Sequence, residues 1–274
     1  MSALLEARGL SVEYRPPVGA AVPALREVSM DIATGEFVGV VGGSGSGKSS
    51  LALALLGLAR PPGRVTGGSS VIAGCDLVAA PEAEARRVRG REIGLVVQNP
   101  RLALNPMMAA GPQIVDVYRA HHDVKASVAK ERALELLRVV GINDPARRFF
   151  AYPHELSGGM AQRMVIAMAL VCAPPVLIAD EPTSGLDVTI QAQILDDLQR
   201  GAAETGSAVV LITQDLGVVA NYSTRVMVMD GGQVVEEAST LDFFRRPAHA
   251  ASRRLLSLQR EPELATIAEE AAGE

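Results

Sequence analysis

Runs of apolar residues bounded by glycine, proline and charged residues divide the chain into alternating strand-like and helix-like segments. Residues 4–14 alternate loosely and predict a strand; residues 15–23, with Pro16, Pro17 and Gly19, predict a loop. Two further strands follow at 28–32 and 36–41, the second ending in Val38, Val40 and Val41 before a break at glycine. Residues 47–58 are apolar with helical spacing, and Pro61, Pro62 and Gly63 stop them. Short strand signals at 70–73 and 93–98 flank a charged helix at 82–91, and 100–106 reads as a loop.

From about residue 111 to 148 the pattern is helical throughout, with no strand signal. It predicts a helical insert in an otherwise alternating chain. Alternation then resumes, with helices at 159–172 and 188–204 and strands at 176–179, 208–213, 225–229 and 233–236. Strand–helix alternation favours a mainly parallel sheet covered by helices, an α/β fold. From about residue 261 the chain is rich in Glu and Ala and predicts a flexible acidic tail, leaving residues 1–260 as the domain.

Composition narrows the function. The 274 residues are 48% hydrophobic but only 3% aromatic, with no Trp, so the core rests on aliphatic side chains. Few aromatics and a formal net charge of -5 argue against base-stacking or bulk electrostatic nucleic-acid binding. Two cysteines, Cys75 and Cys172, make neither a disulfide framework nor a cysteine cluster; Cys172, in an apolar run, reads as a buried thiol. The N-terminus lacks signal-peptide character. The longest apolar stretch, 164–179, is interrupted by Pro174 and Pro175 and is shorter than the roughly 20 residues a span needs. This predicts a soluble, cytoplasmic chain whose contact with a membrane runs through a partner.

Three motifs carry chemistry. Gly42, Gly43, Ser44, Gly45, Ser46, Gly47, Lys48 and Ser49 fit G-x-x-x-x-G-K-[ST] between a predicted strand and a predicted helix. Glycines there let backbone N–H groups converge on phosphate oxygens, and the helix presents its positive end to the same anion. Lys48 supplies a cation for the β- and γ-phosphates and Ser49 a hydroxyl for Mg²⁺. The alternative is a plain glycine-rich turn. Further on, the strand at 176–179 runs into Asp180 and Glu181. In a phosphate-loop enzyme, Asp180 is placed to hold Mg²⁺ through water and Glu181 to polarise the attacking water. A strand merely meeting solvent is the structural alternative. The third motif, Leu156, Ser157, Gly158 and Gly159, followed by Met160, Ala161, Gln162 and Arg163, opens a helix shortly before that acidic strand.

With this LSGG segment lying between phosphate loop and acidic strand, nearly the whole chain resembles the ABC transporter ATPases. The resemblance implies a P-loop NTPase of RecA-like, mainly parallel core, an antiparallel N-terminal β-subdomain and an inserted helical subdomain at about 100–165. It implies ATP and Mg²⁺ as ligands, with Ser157, Gly158 and Gly159 closing on the γ-phosphate held by an opposite subunit. Ser50 extends the phosphate site. Gln98 falls in the loop linking the metal to the membrane subunit, and counts among the metal and nucleotide residues. Tyr14 matches the aromatic that stacks on adenine, with a core strand residue as the alternative. Asp187, after Ser184, Gly185 and Leu186, matches the loop communicating between two ATP sites.

One position departs from the pattern. Where the family has His at the end of the next strand, this chain has Gln214, which donates a hydrogen bond but neither carries charge nor titrates. With Lys48 and Glu181 it completes the candidate catalytic set, and slower hydrolysis is expected.

Gln98-Asn99-Pro100-Arg101, Asn105-Pro106, Gly158-Gly159-Met160, residues 164–170 and 215–220, and the tail 243–256 resemble the peptide/opine/nickel importer branch. That resemblance implies a second, different ATPase chain, two transmembrane permease subunits, an extracytoplasmic binding protein and a place on the cytoplasmic side of the inner membrane. Gly42-Gly43 and the short tail are closer to nickel-type chains, and cysteines for an iron–sulfur site are missing. A low-turnover regulatory ATP-binding subunit and a soluble ABC ATPase outside transport are the rival readings. The second lacks the expected coiled-coil insert or fused cassettes. Arg245, Arg246, Arg253 and Arg254 read as a solvated helix face.

Overall fold

Leu5, Ala7, Leu10 and Val12 are buried while the residues between them face outward, so the first strand, β1 (Leu5–Tyr14), lays one face on a core. The computed structural model describes residues 3–17 and 19–258; the expected acidic tail lies outside the described residues. β1 pairs antiparallel with β2 (Val22–Ile32) and β4 (Gly63–Ile72), and β5 (Cys75–Asp76) completes a four-stranded sheet of order β2-β1-β4-β5. β2 begins at Val22, within the expected loop, because Pro23 sits on an edge strand, where its missing N–H costs no ladder bond. β4 extends well before residue 70, its glycine-rich start held by pairing to β1.

The second sheet has order β10-β9-β3-β8-β7-β6, from β3 (Phe37–Gly42), β6 (Ile93–Val96), β7 (Val176–Asp180), β8 (Ala208–Ile212), β9 (Arg225–Asp230) and β10 (Gln233–Ser239). All its pairings are parallel except β9 with β10. Every residue of β7 and β8 is buried, as expected of strands covered on both faces.

Helices come in two groups. α1 (Lys48–Ala54) lies between the sheets, packing with Val38, Val40, Ile178, Val210 and Ile212. It is shorter than the predicted 47–58, turning out after Ala54. α2 (Glu82–Val88) precedes β6. Then α3 (Pro100–Ala103), α4 (Ala110–His121), α5 (Ala126–Val139) and α6 (Pro145–Arg148) form the helical stretch, and α7 (Gly158–Leu170) leads into β7. α3 replaces the loop expected at 100–106: Asn99 Oδ1 accepts from Arg101 N and Pro100 starts the turn. α8 (Val188–Thr205) follows β7, and α9 (Leu216–Tyr222), α10 (Thr240–Arg245) and α11 (Ala250–Leu258) finish the chain. α4, α5, α7 and α8 pack on the opposite sheet face, against Leu177, Ala179, Val209 and Leu211. Neighbouring β7 residues thus serve different cores, and each buried aliphatic side chain contributes roughly 1.5–3 kcal/mol. Among the described residues no helix is long and apolar enough to cross a membrane.

Arg225 joins the two sheets. Its guanidinium donates to Glu36 Oε1 (2.7 Å) and Oε2 (3.0 Å), to Glu237, and to the Asp31 carbonyl at the end of β2 (2.6 Å). Cys75 is buried, whereas Cys172 is only half-buried, a correction to its reading as a buried thiol; burial still pushes the Cys172 pKa up to about 11. Of the terminal arginines, Arg253 donates to the Pro247 and Ala248 carbonyls and Arg254 meets Asp230 at 3.4 Å in an exposed pair.

α11 is fastened by Glu236 of β10, whose carboxylate accepts from Ala248 N, His249 N and the Ser252 hydroxyl. Burial alone would raise its pKa, but these bonds, led by Ser252, hold it below the usual carboxylate range. A depressed folded pKa means stability present above the unfolded value and lost as pH falls through the folded one. Glu236→Gln is therefore expected to lower stability by about 1 kcal/mol at pH 7, as for a lost helix cap. The gap in melting temperature between wild type and variant should close as pH drops below the carboxylate range. A gap that is independent of pH contradicts this assignment.

Candidate nucleotide-binding site

The parallel strands β3, β6, β7 and β8 end on one edge of the sheet, where ligands of open α/β sheets bind. Each strand end delivers part of the site. From β3 the chain turns through Gly43, Ser44 and Gly45, all exposed, and re-enters at Ser46 before α1. Gly42 and Gly47 let this loop sit close to its neighbours: a Cβ on Gly42 would lie 2.3 Å from the Met229 carbonyl oxygen, and one on Gly47 2.5 Å from that of Ala24. Gly47 also has φ 103°, which L side chains rarely adopt. The turn between β9 and β10 braces the loop from outside, Gly232 N donating to Ser46 O at 3.0 Å. The sequence had not pointed to this brace; its signal is the Gly231–Gly232 pair.

Lys48 folds back over its own loop, with Nζ 2.8 Å from Gly42 O and 2.9 Å from Gly43 O. The residue is only 6% exposed, and burial lowers its pKa, opposed by the charges of Glu181 and Asp180. Ser49 Oγ donates to Asp180 Oδ1 at 3.2 Å. Asp180, the buried last residue of β7, has its pKa raised by burial, with the Ser49 hydrogen bond pulling the other way. Tyr14 ends β1 half-buried, its ring beside Gly63 and its hydroxyl 3.4 Å from Ser50 Oγ.

Glu181 has φ 45°, a left-handed conformation that costs a side-chain-bearing residue of order 1–3 kcal/mol. Its backbone N–H donates to Ile212 O of β8 (2.8 Å). Both carboxylate oxygens are engaged: Gln98 Nε2, beyond β6, donates to Oε2 at 2.7 Å, and Gln214 Nε2, beyond β8, to Oε1 at 2.7 Å. One carboxylate thus joins three adjacent strand ends.

Ser157 caps α7, its hydroxyl accepting from Met160 N at 3.3 Å. Asp187 caps α8 in the same way, accepting from Ile190 N at 3.0 Å. The two helix starts touch: a Cβ on Gly158 would lie 3.3 Å from Leu186, and one on Gly159 3.0 Å from Ile190. Asp215, not singled out from sequence as a site residue, caps α9 and accepts from Gln191 of α8 at 2.9 Å, linking the loop after β8 to that helix.

A family profile described as ABC transporter matches residues 25–184, more than half of the chain. The chain belongs to the ABC transporter family. It is 45% identical over 255 residues to the oligopeptide transport ATP-binding protein OppD of Bacillus subtilis, covering 93% of this chain and 71% of OppD. It is 43% identical over 257 residues to the dipeptide transport ATP-binding protein DppD of Haemophilus influenzae, covering 93% and 77%. Among solved structures it is similar to the ATP-binding cassette MJ0796 in a dimeric, post-hydrolysis state bound to ADP and Pi. That match has a TM-score of 0.76 and 28% identity, over 86% of this chain and 98% of the other. As a member of this ABC family the chain is an ATP-binding ATPase coupled to transport.

The local chemistry suits Mg²⁺ with a nucleotide. The Ser49 hydroxyl and the Asp180 carboxylate offer adjacent hard oxygens, and Mg²⁺ takes its other ligands from phosphates and water. Lys48 stands beside the glycine loop, its Nζ on the Gly42 and Gly43 carbonyls. Gly47→Ala is expected to destabilise the chain by about 2–3 kcal/mol, because the added methyl meets a backbone carbonyl in a strained conformation, and to abolish measurable ATP binding. Chemical denaturation and equilibrium ATP titration check this; an unchanged midpoint with unchanged affinity refutes it.

Proposed function

We propose that this chain is the ATP-hydrolysing subunit of a membrane importer for di- or oligopeptides. The observation that carries the reading is the convergence of Lys48, Ser49, Asp180 and Glu181 at one sheet edge, with Gln98 and Gln214 both donating to Glu181. The peptide assignment is supported by the printed functions of OppD and DppD. These give no support to the nickel-type leaning suggested by Gly42-Gly43 and the short tail.

In this reading the loop N–H groups and Lys48 hold the β- and γ-phosphates, Ser50 extends the phosphate site, and Tyr14 lies toward the base. Ser49 and Gln98, with Asp180 through water, would hold Mg²⁺, which when bound would neutralise phosphate charge. Glu181 orients the attacking water and accepts its proton. Gln214 offers a neutral donor to the γ-phosphate. Ser157, Gly158 and Gly159 present a helix N-terminus to nucleotide held by a second, different ATPase subunit, and Asp187 carries the state of one site to the other. The dimeric state of MJ0796 supports such pairing. The remaining partners are two permease subunits, reached through the Gln98 loop, and a binding protein outside the cell, with this chain at the inner face of the membrane.

Uptake of labelled dipeptide and labelled nickel, in cells carrying the intact chain or Lys48→Ala, tests the assignment. Loss of dipeptide uptake alone in the variant is expected. Loss of nickel uptake alone assigns the other substrate, and no change in either overturns the importer reading.

A second reading, a low-turnover subunit beside a faster partner, is favoured by Gln214. A neutral amide supplies a weaker bond to a phosphate than a protonated imidazole does, by roughly 1 kcal/mol, or about fivefold in rate. Gln214→His should raise steady-state ATPase activity by about that factor, and an unchanged rate argues that the amide is no handicap.

A further inference from the structure

Asp197 lies midway along α8, on the side facing α7, and is 6% exposed. Its two oxygens are shared between two guanidinium groups: Arg163 Nε of α7 donates to Oδ2 at 2.9 Å and Arg200 Nη1 to Oδ1 at 2.9 Å. The same Arg200 nitrogen reaches the Val139 carbonyl at the end of α5 (3.2 Å). Gly141, just beyond α5, leaves room for the carboxylate, since a Cβ there would stand 3.0 and 3.1 Å from its oxygens. One buried carboxylate therefore sits where α5, α7 and α8 meet. The helices that meet there belong to the apolar helical core, to which α5 contributes Leu136 and Leu137, α7 Leu170 and α8 Ile194 and Leu198. A buried ion pair in such a place is weak evidence for stability, because apolar side chains of similar volume commonly do as well. Fixing the relative placement of the helices is what the pair adds.

The placement reaches the LSGG turn. Arg163 lies one helical turn after Gly159, and its Nη1 is 3.8 Å from where a Cβ of Gly159 would be. The Asp197 carboxylate thus holds the guanidinium that flanks the turn. The same turn packs through Gly158 and Gly159 on Leu186 and Ile190, which bracket Asp187.

We propose that Asp197 is a positioning residue for hydrolysis. It holds Arg163 and with it the roll and height of α7 against α8, so that the 157–159 turn and the loop ending at Asp187 present themselves as one body. The inference rests on the reading of that turn as the surface that closes on nucleotide.

Steady-state ATPase kinetics on the chain assembled with its membrane subunits, together with melting temperature, test it. Four variants are compared: Ser157→Ala, Asp197→Asn, Asp197→Glu, and the double variant Arg163→Met with Asp197→Leu. The double variant replaces the ion pair by an apolar one, so it keeps the melting temperature if Asp197→Asn does not fold. Ser157→Ala and the double variant are expected each to lower kcat about tenfold, with ATP binding to the resting chain changed less than twofold. Asp197→Glu, which keeps the carboxylate, should recover part of the loss. If Ser157→Ala lowers kcat but the double variant, with melting temperature kept, turns over at the wild-type rate, the positioning role is overturned. If Ser157→Ala itself turns over normally, the reading of the turn fails first, and the proposal falls with it.

Discussion

A single carboxylate bonded on both oxygens organises this site. Glu181 receives Gln98 from one neighbouring strand end and Gln214 from the other, each at 2.7 Å. Two bonds of that length fix both the position and the plane of the carboxylate, and they do so only if the three strand ends are themselves fixed. β7 and β8 meet that condition: they are fully buried and in parallel register from Val176 with Ala208 to Asp180 with Ile212. The left-handed backbone of Glu181 is sustained by the same frame through its bond to Ile212 O. The strain there is small beside the burial energy of the strands that hold it.

The rest of the molecule divides between the two faces of the parallel sheet. Lys48 and α1 belong to the core shared with the antiparallel sheet, with Arg225 fastening the sheets at their edges. Ser157 and Asp187 start helices packed in the other core. Phosphate loop and LSGG turn are thus built on separate hydrophobic clusters, and the strand ends between them carry the acidic residues. Under the proposed function one of these surfaces would grip nucleotide and the other would meet a second subunit, each resting on its own cluster. A dense single core would tie the two surfaces rigidly together.

Much of this was legible in the sequence because the signals are local. The phosphate loop declares itself by glycine spacing and by the β-branched run before it; Asp180 and Glu181 by an apolar strand ending in acid; Ser157 by its place before two glycines and a helix. Strand order was not legible, since register depends on partners far along the chain. The loop expected at 15–23 took in Val22 and Pro23 because proline breaks a strand pattern, yet an edge position tolerates it and β2 starts at Val22. The long-range polar contacts were hidden for the same reason: Arg225 with Glu36, Arg163 with Asp197, and the double engagement of Glu181 are pairings that no spacing rule announces. The half-burial of Cys172 was missed because an apolar neighbourhood in sequence does not fix which face of a helix end turns inward.

Hydrolysis at this site turns on Glu181 as the proposed group that orients water, and Glu181→Gln tests that role directly. The assembled complex should be followed by single-turnover ATP hydrolysis alongside ATP binding. An amide of the same shape keeps the site filled but accepts no proton. Hydrolysis should fall at least about a hundredfold, the usual scale of a lost general base, while ATP remains bound and the paired ATPase subunits stay closed on it. Hydrolysis at the wild-type rate in this variant would contradict the assignment of Glu181 and with it the central reading of the site.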